Sequence, residues 1–163
     1  MNNLISVKKV SRSYSKNKKV TVLKKINYSF ARGKIYSIMG PSGSGKSTLL
    51  NILSMIDKPT TGSMLIGNDT IDFNNNTDND KIRAKKIGII YQQNNLLPDF
   101  TALENVYLAG LALTDDKKNS IQKAKKIIKK MGLSTREQHY PSELSGGEMQ
   151  RIAMARALIN EPE

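Results

Sequence analysis

Alternating apolar and polar positions near the start of the chain predict β-strands. Between residues 4 and 30, Ile26, Tyr28 and Phe30 alternate with polar neighbours, which is the period of a strand with one buried face. The polar segment 15–19 interrupts this pattern and predicts a turn. We therefore expect the chain to begin with short strands joined by that turn.

The pattern then changes from strand to helix spacing. Residues 32–34 predict a second turn, and the apolar run 35–39 after them predicts a buried strand. A glycine-rich loop follows, and the next apolar positions recur at helical spacing: Leu49, Ile52, Leu53 and Ile56. We expect this helix to end at residues 59–62 and another strand to form at 64–66.

The second half of the chain is predicted to be mostly helical. The Asn- and Asp-rich stretch 74–80 predicts a loop, and residues 87–91 predict a strand that ends at Gln92. Three helices then have boundary signals: Thr101 with Glu104 as a capping box, Gly132 after a lysine-rich segment, and Ser145 with Glu148 before Pro162. The layout is a mixed α/β core followed by a helical region.

Composition narrows the class of protein. A chain of 163 residues with 38% hydrophobic residues is long enough for one compact domain. The absence of cysteine excludes a disulfide framework and thiolate metal chemistry, and no apolar run approaches the ~18 residues that cross a bilayer. The net charge of +12 allows a nucleic acid, an anionic membrane face or a nucleotide as partner, or simply solvated surfaces.

A phosphate-binding loop is the strongest chemical signal. The pattern G-x-x-x-x-G-K-[ST] is matched by Gly40, Pro41, Ser42, Gly43, Ser44, Gly45, Lys46 and Ser47, with Thr48 next. Glycines allow consecutive N–H groups to point at phosphate oxygens, and the helix that begins near Lys46 adds its positive end. We expect Lys46 to reach the β- and γ-phosphates and the Ser47 hydroxyl to bind Mg²⁺.

A second glycine-containing motif precedes the last helix. It consists of Leu144, Ser145, Gly146, Gly147 and Glu148, with Gln150 and Arg151 following. Flexible glycines, a hydroxyl and a helix N-terminus together predict an anion site. Taken alone, Ser145 and Glu148 equally fit an ordinary capping box.

Together the two motifs resemble those of ABC transport ATPases, which bind ATP and Mg²⁺. The resemblance covers nearly the whole chain and implies an α/β fold: a P-loop NTPase core with N-terminal antiparallel strands and a helical subdomain. It implies a single domain over 1–163, with the nucleotide-binding core at 1–93 and the helical subdomain at 94–163. Tyr14 corresponds to an aromatic that stacks on adenine, although an ordinary strand-end tyrosine remains the alternative. Gln92, or its neighbour Gln93, corresponds to the glutamine that contacts Mg²⁺ and the attacking water.

Within the family, residues 91–106 look most like the lipoprotein-releasing (LolD-type) ATPases, with macrolide-export and cell-division ATPases as alternatives. The resemblance implies transmembrane permease subunits in a separate chain, contacted by residues 94–140, and a homodimer of ATPase subunits. In that dimer Lys46, Ser47 and Gln92 serve one nucleotide, and the motif at 144–148 serves the partner's. It also implies a cytoplasmic location at the face of the inner membrane. Members of the family that act on chromosomes or in DNA repair carry a long coiled coil between the corresponding positions. The interval between Gln92 and the second motif leaves no room for one, so no nucleic-acid partner is expected.

The family pattern continues beyond the second motif with a strand that ends in Asp-Glu and a later histidine. The chain ends at Glu163 before that strand, and neither Glu161 nor His139 replaces those residues. We therefore expect hydrolysis to be slowed on the order of 10²–10⁴-fold, and residues 35–39 to form an exposed edge. A truncated gene product without function and a nucleotide-binding regulatory module without turnover are the alternatives.

Overall fold

A computed structural model of the chain describes residues 3–15 and 19–163. The strands are β1 (Asn3–Ser15), β2 (Lys19–Ala31), β3 (Thr61–Ile66) and β4 (Asp69–Thr70). The helices are α1 (Lys46–Leu53), α2 (Asn76–Lys86), α3 (Ala102–Leu111), α4 (Lys117–Lys130) and α5 (Gly146–Leu158), with short 3-10 helices at Ser134–Arg136 and Pro141–Glu143. Within the described ranges, none of the helices is both long and apolar enough to span a membrane.

The chain forms two compact units, Met1–Asn79 and Asp80–Glu163. The first holds the sheet and the phosphate-binding loop, and the second holds α3, α4 and α5. The division at residues 93 and 94 that the family resemblance implies stays a prediction.

The first unit is built on an antiparallel sheet with the strand order β2-β1-β3-β4. Val7 of β1 lies opposite Tyr28 of β2 and Met64 of β3, so β1 is an inner strand of the sheet. Alternate apolar side chains are buried on one face together with residues of α1; they include Val7, Val10, Leu23, Ile52, Leu53, Met64 and Ile66. The strands predicted in 4–30 and at 64–66 are confirmed. The centre of the turn predicted at 15–19 lies outside the described residues.

The two predicted strands at 35–39 and 87–91 are wrong. Both segments lack regular secondary structure, and Ile35 and Met39 are almost fully exposed. An apolar run becomes a strand only where a neighbouring chain segment pairs with its backbone groups, and the four-stranded sheet pairs with neither run. The exposed strand edge expected at 35–39 does not form, because there is no strand, although the side chains of Ile35 and Met39 are exposed. At 87–91, a Cβ on Gly88 would lie 2.5 Å from the Ala157 carbonyl oxygen, so this segment packs closely against α5.

The loop predicted at 74–80 is also wrong, because α2 begins inside it. Asn75 Oδ1 accepts the backbone N–H of Asp78 at 3.3 Å, and Asn75 Nδ2 donates to Asp78 Oδ2 at 2.6 Å. Asn and Asp favour helix N-termini as strongly as turns, and the basic residues in the last turn of α2 complement the helix dipole.

Helix α1 is shorter than predicted and ends at Leu53. The chain leaves the helix at Ser54, and Met55 has a φ of 58°. That left-handed backbone stops helical hydrogen bonding, so Ile56 lies outside the helix despite its spacing.

The second unit has a helical core in which α3, α4 and α5 pack together. Its buried apolar side chains include Leu103, Val106, Ala124, Ile128, Ile152 and Ile159. Both predicted capping boxes, Thr101 with Glu104 and Ser145 with Glu148, are present. The helix stop at Gly132 is confirmed, with a φ of 72° just after α4.

Candidate nucleotide-binding site

The phosphate-binding loop leads directly into the N-terminus of α1. Gly45 is the N-cap residue and has no side chain with which to bond the first N–H groups of the helix. The first turn of α1 also contains no acidic side chain that could compete for them. Free N–H groups and the positive end of the helix dipole make this terminus suited to an anion.

Backbone conformation explains why glycines occupy the loop. Gly43 and Gly45 have φ values of 79° and 93°, which L-residues rarely adopt. At Gly45 there is also no room, because a Cβ would lie 2.9 Å from Leu23 Cδ2 and 3.0 Å from Val22 Cγ1 of β2. The glycine therefore lets the start of α1 approach the sheet closely.

Lys46 folds back over the loop instead of extending into solvent. Its Nζ donates to the carbonyl oxygens of Gly40 at 2.8 Å and Pro41 at 2.7 Å. The loop that would bind a phosphate therefore also binds this ammonium group. An ammonium has three donors, so it can bind loop carbonyls and a phosphate oxygen together.

The residues present fit a nucleotide phosphate with Mg²⁺. A pocket of about 360 Å³ is lined by Val22, Ser42, Gly43, Gly45, Lys46, Ser47 and Thr48. Its cationic group is Lys46, and Ser47 brings a hydroxyl to the same wall. Mg²⁺ in nucleotide sites keeps several waters and takes phosphate oxygens, so the Ser47 hydroxyl would be one ligand among several.

Tyr14, at the end of β1, belongs to a small polar cluster. Its hydroxyl donates to Asp57 Oδ2 at 3.2 Å, and the Arg12 guanidinium carbon lies 4.6 Å from the centre of its ring. Arg12 also pairs with Asp57 Oδ1 at 2.8 Å. Tyr14 as a whole residue is 42% exposed. One face of the ring is covered by Arg12, which leaves the remaining exposed surface for a planar ligand.

The second motif forms the N-terminus of α5. Ser145 Oγ accepts the Glu148 N–H at 3.3 Å, and Glu148 Oε2 accepts the Ser145 N–H and hydroxyl, each at 2.8 Å. Glu148 Oε1 accepts Arg136 Nε–H at 3.0 Å. These interactions, the Ser145 backbone N–H first and Arg136 last, lower the pKa of Glu148 to about 2. The carboxylate is therefore charged and fixed at neutral pH.

The motif presents its small polar residues outward while one apolar residue holds it in place. Leu144 is buried in the helical core, whereas Ser145, Gly146 and Gly147 are exposed. A Cβ at Gly146 would meet no atom within 4 Å. Among the described residues of the second unit, no side chain therefore covers Gly146, and this helix N-terminus is accessible to a ligand.

Gln92 and Gln93 lie side by side in a bend after residues 87–91, and both are exposed. The assignment of the Mg²⁺ and water contact to Gln92 stays a prediction. Gln92 belongs to the second unit and the phosphate-binding loop to the first.

The segment after Gln93 is held by two residues that the sequence patterns did not single out. Arg156 of α5 donates to the carbonyl oxygens of Asn94 at 2.7 Å and Asn95 at 2.6 Å. The buried Asn105 side chain accepts the Leu97 N–H at 2.7 Å and donates to carbonyl oxygens of the same loop, those of Leu97, Phe100 and Thr101. The sequence did contain a signal for Asn105, because it is a polar residue on the otherwise apolar face of α3.

Arg12 and Asp57 were not singled out as functional residues either. They lie 45 positions apart in the sequence, and only the sheet and the end of α1 bring them together. No local pattern predicts such a pair.

Comparison with known proteins places these sites in context. Residues 23–163 match the pattern of the ABC transporter family. The lipoprotein-releasing system ATP-binding protein LolD of Rickettsia bellii is 44% identical over 163 residues, which are 99% of this chain and 72% of that protein. LolD of Saccharophagus degradans is 45% identical over 154 residues, 94% of this chain and 68% of that protein.

Solved structures agree in fold. A dimeric post-hydrolysis structure of the ATP-binding cassette MJ0796, bound to ADP and Pi, superposes with a TM-score of 0.86 at 40% identity, covering 97% of this chain and 70% of that one. The cbiO1 subunit of a Clostridium perfringens ABC transporter complex gives a TM-score of 0.80 at 26% identity, covering 99% of this chain and 63% of that one.

Proposed function

This chain belongs to the ABC transporter family and resembles the ATP-binding subunits of its transporters, and on that premise we propose a transport function. The specific proposal is that it binds ATP for a permease that releases lipoproteins from the inner membrane. One observation carries this choice: 44–45% identity over nearly the whole chain to lipoprotein-releasing ATP-binding proteins.

The phosphate-binding loop gives the proposal its chemistry. ATP with Mg²⁺ supplies a γ-phosphate whose binding can be coupled to domain closure. Lys46, already held at the mouth of the loop by two carbonyl oxygens, would neutralise β- and γ-phosphate charge. The N–H groups at the start of α1 would bind phosphate oxygens, and Ser47 would hold Mg²⁺. Tyr14 would stack on the base.

The second motif supports a function as a dimer of ATPase subunits. Ser145, Gly146 and Gly147 are exposed at a helix N-terminus that has open space above it. We assign this surface to the nucleotide of a second ATPase subunit, as the relative MJ0796 is dimeric. The permease partner would bind residues 94–140 and hold the chain at the cytoplasmic face of the membrane.

Nucleotide binding is the first test. Titration of the purified chain with ATP·Mg²⁺ is expected to show saturable binding that Lys46→Ala weakens by at least about tenfold, because it removes the loop's cation. Lys85→Ala, which removes an exposed lysine of α2, is the matched control and should bind as the unaltered chain does. Equal affinity in the unaltered chain and Lys46→Ala would contradict the assigned site.

The substrate class needs a second test. Detergent-solubilised permease subunits of a lipoprotein-releasing, a macrolide-export and a cell-division system can be immobilised and exposed to the chain. We expect retention by the lipoprotein-releasing permease and not by the other two. Retention by a different permease would reassign the substrate but leave the family unaffected.

A further inference from the structure

Helix α4 carries an unusual concentration of positive charge. Seven of its 14 residues are lysines and none is acidic. Residues 80–163 contain 14 lysines and arginines and 10 aspartates and glutamates, so half of their cations lie in this one helix. The rest of the second unit therefore carries a net negative charge, and the positive charge is local.

Six of the lysines share the outer face of the helix. The buried residues of α4 are Ser120, Ala124 and Ile128, which define the face that packs in the helical core. Lys117 lies near that core side, with its ammonium 5.8 Å from the Tyr107 ring centre. The remaining lysines are exposed and lie on the opposite face at helical spacing; this lysine face comprises Lys118, Lys123, Lys125, Lys126, Lys129 and Lys130.

Nothing in the second unit neutralises the lysine face. Across residues 3–15 and 19–163, none of its six ammonium groups forms an ion pair with a carboxylate. The carboxylates nearest in sequence, Asp115 and Asp116, precede the helix, and Asp116 Oδ1 accepts the Asn119 N–H at 2.9 Å as its cap. Six like charges along a helix about 21 Å long repel one another, and an anionic surface that faces them would offset this repulsion.

We infer that the lysine face binds the anionic phospholipid headgroups of the membrane at which the subunit works. Lysine ammonium groups are flexible point charges, which suit a laterally mobile layer of phosphates. Helix α4 contains neither arginine, for bidentate contacts to phosphates and bases, nor an aromatic residue for base stacking. These features favour lipid over nucleic acid. The inference rests on the proposed function only for the presence of a membrane nearby.

Co-sedimentation with vesicles tests the lysine face without nucleotide or permease. The probes are vesicles of phosphatidylcholine alone and of phosphatidylcholine with about one third phosphatidylglycerol, at low and high salt. The test variant is Lys118→Gln/Lys125→Gln/Lys129→Gln. The control variant, Lys24→Gln/Lys81→Gln/Lys85→Gln, removes the same charge from exposed lysines elsewhere.

The unaltered chain and the control variant should bind the anionic vesicles in a salt-sensitive manner, and the test variant should bind at least about tenfold more weakly. Replacing the same three residues by arginine should preserve binding, and circular dichroism should show equal helix content in all variants. Absence of binding by the unaltered chain, or equal losses in test and control variants, overturns the inference. So does preferential binding to duplex DNA that depends on the same lysines.

Titration of the same variants with ATP·Mg²⁺ keeps the two proposals separable. The lysine-face variant should bind nucleotide as the unaltered chain does, and Lys46→Ala should bind vesicles normally. Absence of vesicle binding by the unaltered chain, together with retained nucleotide binding, overturns the lysine-face inference alone. Loss of nucleotide binding in the unaltered chain contradicts the proposed function and leaves the vesicle result standing.

Discussion

At the scale of single residues, Gly45 has a φ of 93° at the N-cap of α1, where a Cβ would also lie 2.9 Å from Leu23 Cδ2. Gly45→Ala therefore meets backbone strain and overpacking together, each worth about 1–3 kcal/mol. We expect the free energy of unfolding, measured in urea, to fall by about 2–6 kcal/mol.

Gly43 provides the comparison that separates the two effects. Its φ of 79° is also positive, but a Cβ there would have no neighbour within 4 Å. Gly43→Ala should therefore lose only the strain, about 1–3 kcal/mol. If the two variants are equally destabilised, close packing of Gly45 against β2 does not contribute.

Tyr14 is expected to act through its ring and not through its hydroxyl. The hydroxyl bonds Asp57 at 3.2 Å and serves to orient the ring, while stacking on a base needs only the aromatic surface. Tyr14→Ala should weaken ATP binding by about 1–3 kcal/mol, roughly 5- to 150-fold. Tyr14→Phe should change the affinity less than about threefold. Isothermal titration of both variants measures this, and an unchanged affinity in Tyr14→Ala would leave Tyr14 as a strand-end residue.

At the scale of elements, the N-terminus of α5 should be sensitive to acid. The pKa of Glu148 is lowered to about 2 from the ordinary value of 4.5 by the Ser145 N–H, the Ser145 hydroxyl and Arg136. A depressed pKa in the folded state gives stability that is full above 4.5 and is lost as pH falls toward 2. We expect the urea midpoint to decline over this range.

Glu148→Gln should flatten part of that decline, because it removes the titrating group. Glu161→Gln, which removes an exposed carboxylate elsewhere in the chain, is the charge-matched control. Identical profiles for the unaltered chain and Glu148→Gln would show that the capping carboxylate contributes nothing to stability in acid.

Helix boundaries with side-chain caps were predictable, and strands without a visible partner were not. Thr101 with Glu104 and Ser145 with Glu148 bond within four residues, so the local sequence contains both partners. The runs 35–39 and 87–91 have the composition of strands, but pairing depends on segments distant in sequence. Asn75 with Asp78 was a third local cap, hidden in a stretch whose composition also suits a loop.

At the scale of the whole molecule, the two candidate nucleotide surfaces lie in different compact units. The phosphate-binding loop belongs to Met1–Asn79 and the motif at 144–148 to Asp80–Glu163. If the second surface serves the nucleotide of another subunit, ATP·Mg²⁺ at low protein concentration should slow hydrogen exchange only at residues 43–48. At high concentration the amides at 146–148 should become protected as well, because dimerisation follows mass action.

Hydrogen exchange read by mass spectrometry at several protein concentrations measures this difference. The amides of α4 serve as an internal reference, since α4 contributes to neither surface. Protection of 146–148 that is independent of concentration would mean that the motif binds nucleotide within one chain, and the pairing proposal would then be wrong.

The sequence by itself determined the phosphate-binding loop, the motif at 144–148, their helices and the family, because each depends on residues adjacent in the chain. Glycine conformations, caps and a helix N-terminus are local properties that spacing alone reveals. Only the tertiary structure decided which apolar runs are paired in the sheet, that Arg12 and Asp57 hold Tyr14, and that Arg156 holds residues 94 and 95. The hydrogen bonds of Asp57 with Arg12 and Tyr14, and those of Arg156, join residues 43 to 62 positions apart. Local patterns carry no information about which distant segments meet.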